Sequence, residues 1–170
     1  GADIIASQVR VTGAGLSGDV SGVLRQGEID YRLSLQLRDL SRLAPPLLGA
    51  LTLNGTLRGP LDDIALAARG SASLATEGFA RQAVAIQLAA RGLPVLRSAN
   101  LSADGRFNDA PLQLRATLNG EAPRRAAVTA RWKSLAAQAD LALGEGVTGQ
   151  ARLTVGALSD FAVFTGGALA

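Results

Sequence analysis

Glu28-Ile29-Asp30-Tyr31-Arg32-Leu33-Ser34-Leu35-Gln36-Leu37-Arg38 decides the fold class. Ile29, Tyr31, Leu33, Leu35 and Leu37 fall on every second position, with charge, hydroxyl or amide between them. A period of two sends alternate side chains to opposite faces of a β-strand. The stretch therefore predicts a strand with one aliphatic face and one polar face.

The same alternation runs along most of the chain. Val9 and Val11 end one strand, and Leu16, Val20 and Leu24 mark a Gly-rich second. Beyond the central stretch, the residues predicted to share the apolar face are Leu51, Leu53 and Leu57; Ile64, Leu66 and Leu74; and Val84, Ile86 and Leu88. Leu101 and Phe107 follow, then Leu112, Leu114 and Leu118, Val128 and Trp132, Leu141 and Leu143, and Leu153 and Val155. With Leu33, Leu35 and Leu37 they make one candidate apolar lining. Asn108-Asp109 reads as a hairpin turn, and Asn119-Gly120 as a turn where the pattern stops. The apolar phase passes through Asn54-Gly55 unbroken, so that pair is placed inside a strand. Gly or Ala at several in-phase positions would let the sheet bend sharply.

One segment breaks the period. Leu40, Leu43 and Leu47 have helical spacing behind Asp39, a good N-cap, and Pro45-Pro46 stops the helix after little more than a turn. A short helix is expected near 40–48, with Ser41 at its start. Leu158-Ser159-Asp160-Phe161-Ala162 repeats Leu40-Ser41-Arg42-Leu43-Ala44 at an offset of 118 residues (158 − 40), and predicts a second short helix near 158–164. Val163-Phe164 stands where the first copy has Pro45-Pro46. Leu35 and Leu37 align with Leu153 and Val155 at the same offset. The 170 residues read as one β-rich segment of a repeat protein that continues in both directions.

Composition narrows the chemistry. The chain contains no cysteine and no histidine, which removes disulfides, thiol nucleophiles, imidazole bases and most zinc or copper sites. Ser41 and Ser159 thus have no histidine base. Asp62-Asp63 points to opposite faces as a strand pair, so a turn is the simpler reading than a calcium site. Net charge is only +3, Lys133 is the one lysine, and the arginines are dispersed, so a nucleic-acid partner is not expected. Arg124-Arg125 and Arg131, Trp132 and Lys133 read as a solvated rim, or as contacts for lipid headgroups. Six aromatics, at Tyr31, Phe79, Phe107, Trp132, Phe161 and Phe164, are too few and too scattered for the girdles of an outer-membrane barrel. No enzyme activity, cofactor or metal is expected. Alternation alone leaves open whether the leucine face closes into a sandwich core or lines an open groove.

Arg38-Asp39-Leu40-Ser41-Arg42-Leu43-Ala44-Pro45-Pro46-Leu47-Leu48-Gly49, running into Leu51-Thr52-Leu53-Asn54-Gly55-Thr56-Leu57-Arg58-Gly59-Pro60, resembles the repeating segments of TamB proteins, in the AsmA-like group. Leu141 to Leu153, followed by Ala157-Leu158-Ser159-Asp160-Phe161, is similar to them as well. The resemblance implies an all-β, antiparallel-rich sheet curled into a U-shaped apolar groove. It also implies a periplasmic location, in a longer protein anchored in the inner membrane of a Gram-negative bacterium. The expected function is a conduit for phospholipid acyl chains between the two membranes, together with outer-membrane protein and autotransporter assembly. The implied partners are a TamA-like barrel and nascent outer-membrane proteins. The alternative is a scaffold that pairs client strands by β-augmentation without conducting lipid.

Overall fold

The computed structural model describes residues 4–13, 15–42, 48–75, 81–120 and 124–160. It is all-β, with eleven strands in chain order. These are β1 (Ile4–Gly13), β2 (Leu16–Arg25), β3 (Glu28–Leu37), β4 (Leu48–Pro60), β5 (Ile64–Ala75) and β6 (Gln82–Leu93). β7 (Ser98–Phe107), β8 (Ala110–Asn119), β9 (Arg124–Trp132), β10 (Leu135–Leu143) and β11 (Val147–Val155) complete the set. Each pairs antiparallel with the strands before and after it in sequence, giving one sheet ordered β1 to β11. Among the described residues β1 and β11 are its two edges and do not pair with each other, so the sheet is open and not a closed barrel.

The meander follows from short turns. Gln26 and Gly27 both take positive φ (51° and 83°), as do Asn108 and Asp109 (49° and 57°), the geometry that matches a two-residue connection to strand twist. Asn54-Gly55 lies inside β4 as the phase requires, and Gly120, at φ 96°, leaves β8. Asp62 and Asp63 sit in the turn between β4 and β5, where the Asp63 N–H donates to Pro60 O at 3.0 Å.

Pairing register carries the alternation across the sheet. Leu35 opposes Leu53, which opposes Gly70, then Ile86 and Ala103. The row continues through Leu114, Ala130, Ala137 and Leu153. A parallel row runs Leu16, Leu37, Leu51, Ala72, Val84, Gly105, Leu112, Trp132, Leu135, Val155. A one-residue slip anywhere would turn a whole strand over. The single irregularity, between Ile64 and Leu66, leaves the face intact.

The sheet curls toward this face, and its alanines show it. Ala65 and Ala67 in β5, and Ala83, Ala85 and Ala89 in β6, are exposed on the polar side. Ala68, Ala72 and Ala90, from the same two strands, are 4–5% exposed on the apolar side. The side chain is identical, so the difference reports the local shape of each face. Glycines on the apolar face mark the bending. A Cβ on Gly70 would stand 1.8 Å from Thr52 O, and one on Gly22 2.1 Å from Asp30 O. There the backbone turns so far that a side chain would fall onto the neighbouring strand.

The described part of each expected helical segment is a single 3-10 turn. Leu40–Arg42 forms one 3-10 turn, and Leu48 already belongs to β4. Asp39 caps the turn as expected, accepting from the Ser41 N–H at 3.0 Å and the Ser41 hydroxyl at 2.6 Å. Ser41 is therefore a donor to the cap and not itself the cap. Residues 158–160 form a second 3-10 turn. Leu43, Leu47 and the Pro45-Pro46 stop lie outside the described residues, as do 161–164 and with them Phe161 and Phe164; so does Phe79.

Candidate functional site

The apolar face spans all eleven strands. The pairing rows place every residue of the sequence-derived lining on it, from Leu33, Leu35 and Leu37 to Leu153 and Val155. At about 4.8 Å per strand, eleven strands give a floor roughly 50 Å across. Exposure grades from centre to edge. Leu37 (7%), Val84 (1%) and Trp132 (9%) are buried, whereas Val9 (56%), Leu153 (67%) and Val147 (68%) at the edges are open. Among the described residues no second layer covers the floor: outside sequential strand neighbours, substantial contacts are made only between the Leu40–Arg42 turn and β4.

Leu40 was not part of the lining read from sequence, because its helical spacing hid its direction. It folds over one end of the floor, 8% exposed, in a cluster with Leu37 and Ala72 against which Leu51, Leu74 and Ile86 pack. Ala68, Gly70 and Ala72 run in phase with Ile64, Leu66 and Leu74 but, like Ala90, were left off the lining for a different reason. Small residues carry little hydrophobic signal, yet they form the most enclosed part of the floor. Their in-phase position was the available clue.

Among the described residues, polar groups reach this face toward its margins. The Tyr31 hydroxyl and Ser7 Oγ lie 2.6 Å apart, bridging above Gly22, which pairs with both residues. Trp132 Nε1 donates to Phe107 O at 2.7 Å, the two rings lie 5.5 Å apart, and Lys133 Nζ sits 5.2 Å from the indole. Gln82, opposite Leu74, donates to Asp109 Oδ1 at 3.3 Å. Arg124, opposite Leu143, donates to Val95 O at 2.7 Å across the strand ends. The middle of the floor is aliphatic, with no side chain placed to fix a polar group. A specific small-molecule pocket ordinarily has a few such groups.

The other face is charged and paired. Arg10–Asp19 (2.6 Å) and Arg58–Asp30 (3.0 Å) are directly opposed cross-strand pairs, and Arg115–Asp104 (2.8 Å) is a diagonal one. The Asp19 hydrogen bond, then its charge, raises the Arg10 pKa above its already high value. Such exposed pairs contribute little stability each but keep the face wetted. Shallow depressions occur on this side too, one of about 530 Å³ by Thr117, Arg125, Asp140 and Thr148. Another of about 440 Å³ lies by Asn54, Arg69, Gln87 and Ser102. They form where alanines such as Ala67, Ala89 and Ala127 lie between longer polar side chains, and they hold no cluster of perturbed titratable groups.

Asp63 meets Arg97 at 3.8 Å in an exposed turn-to-turn contact. Among the described residues there is no group of three or more carboxylates, histidines or cysteines that could hold a metal. No described helix is long and apolar enough to cross a membrane. Known protein families, curated proteins and solved structures contain no match to this chain.

Proposed function

We propose that this chain is a periplasmic, TamB-like segment that conducts phospholipid between the inner and outer membranes of a Gram-negative bacterium. The supporting observation is a continuous, concave aliphatic floor that no second layer covers among the described residues, whose polar contacts there lie at its margins. Acyl chains need apolar surface along their length and no particular hydrogen bond, so leucines and alanines in rows solvate them wherever they lie. The headgroup stays in water at the open slot, and no step requires a reactive residue. The inner-membrane anchor, the outer-membrane barrel partner and a part in autotransporter assembly come with the TamB resemblance.

The test is lipid mass spectrometry on the chain purified from the bacterial periplasm without added detergent. Phospholipid should co-purify above the level carried by a periplasmic control protein. It should fall to that level in a folded Leu35→Asp, Leu114→Asp double variant. Equal lipid in all three samples would remove the conduit reading.

A further inference from the structure

Gln82 opens β6 in the phase of the floor, opposite Leu74 and two residues before the fully buried Val84. An amide is out of keeping with the apolar rows on which it stands. Its Nε2 donates to Asp109 Oδ1 at 3.3 Å, but its Oε1 is buried and has no hydrogen-bond partner among the described residues. Reversing the amide would set two acceptors face to face, since an ionised carboxylate offers no donor. A buried acceptor left without a donor costs free energy that an apolar residue at 82 would not. Leucine would complete the floor here, so the amide points to a donor that arrives with a ligand.

The neighbouring charges say what kind of donor. Asp109 joins two side chains: Gln82 binds its carboxylate, and Arg106 Nη2 donates to its carbonyl oxygen at 2.6 Å. The guanidinium and the orphan amide oxygen therefore lie within the reach of one small polar group. Arg81, exposed, directly precedes Gln82. Lys133 lies beyond the Phe107 and Trp132 rings at the same end of the strands. Among the described residues none of these three cations meets a carboxylate within ion-pair distance, whereas at the opposite end Arg58 and Arg97 meet Asp30 and Asp63. With Arg131 of β9 they outnumber Asp109 and Asp160 along this rim. Surplus positive charge disfavours an ammonium donor and favours a neutral hydroxyl carried on an anion.

We propose that this corner of the rim is a headgroup site for an anionic, hydroxyl-bearing phospholipid of the phosphatidylglycerol kind. Arg106 and Arg81 hold the phosphate, and a glycerol hydroxyl donates to Gln82 Oε1. From there the acyl chains run onto the floor beside Leu74 and Ile86. Such a site presupposes the conduit proposed above and adds the point at which a headgroup is recognised.

Dioctanoyl lipids titrated into the purified chain, against a neutral apolar dye held on the floor, separate the two. Dioctanoylglycerol has no phosphate headgroup and reports the floor alone. Phosphatidylmethanol carries the charge without the hydroxyl, and phosphatidylglycerol carries both. Phosphatidylglycerol should displace the dye at about fivefold lower concentration than phosphatidylmethanol, the worth of one hydrogen bond to a buried acceptor. Gln82→Leu keeps the floor apolar; it should abolish that difference and leave phosphatidylmethanol unchanged. Arg106→Gln should weaken both anionic lipids severalfold and leave dioctanoylglycerol unchanged. Equal displacement by the two anionic lipids would overturn the headgroup site. So would tighter binding of phosphatidylethanolamine, or a preference that survives Gln82→Leu. If dioctanoylglycerol displaces the dye and no headgroup improves on it, the site falls and the conduit stands; if no lipid displaces it, both fall.

Discussion

Gly70 and Gly13 have the same side chain and opposite roles. A Cβ on Gly70 would collide with the backbone of Thr52 and Leu53, whereas one on Gly13 meets nothing within 4 Å. Gly70→Ala should therefore cost about 1–3 kcal/mol, by forcing backbone to shift, while Gly13→Ala should stay within about 0.5 kcal/mol. Urea unfolding midpoints check both, and equal midpoints would mean that the bend at β5 does not depend on glycine. Tyr31 gives a milder contrast. Its hydroxyl is tied to Ser7 above Gly22, so Tyr31→Phe should lose about 0.5–1.5 kcal/mol. The leucines at 33, 35 and 37 were legible because each carries a strong apolar signal in phase. Alanines 68, 72 and 90 were harder to read, since an alanine carries little apolar signal and only its phase with neighbouring leucines assigns it to the floor.

At the level of elements, the strands were readable because turn chemistry and alternation agree. Asn108-Asp109 stops the phase and is a turn, Asn119 ends β8 with Gly120 leaving it, and Asn54-Gly55 does not stop the phase and is strand. The leucine spacing at 40, 43 and 47 suggested more helix than the described residues contain. Helical spacing over so few residues is a weak constraint, and pairing with Ala75 of β5 draws Leu48 into β4. Which strands are edges could not be read at all, because β11 repeats the pattern of the interior β3 and only pairing distinguishes them. The two 3-10 turns turn that difference into a prediction. Leu40→Ala should destabilise by about 2–5 kcal/mol, the usual range for an enclosed leucine. Leu158→Ala, with its side chain open, should change stability by less than about 0.5 kcal/mol. Thermal unfolding of the pair measures it; a comparable loss at both positions would show that Leu158 is enclosed as Leu40 is.

For the whole molecule, a closed core and an open trough predict different responses to the same insult. A charge sealed in a dry core must be desolvated and ordinarily prevents folding, whereas one on a water-accessible floor keeps much of its hydration. Leu35 and Leu114 share one cross-strand row, lie well inside the sheet and remain only partly buried. Leu35→Asp and Leu114→Asp should therefore each fold, losing on the order of 1–2 kcal/mol, and should lose lipid. Labelling tests the register behind this argument. Cysteine at Gln36, Gln113 or Arg115, on the polar face, should react with a water-soluble maleimide severalfold faster than cysteine at Leu35, Leu112 or Leu114. It should do so equally with and without bound lipid, while the floor positions should be further protected when lipid is present. If the Asp variants fail to fold and the floor cysteines stay unreactive in lipid-free protein, the face is a sealed core; if both faces label alike, the alternation does not set the sides of this sheet.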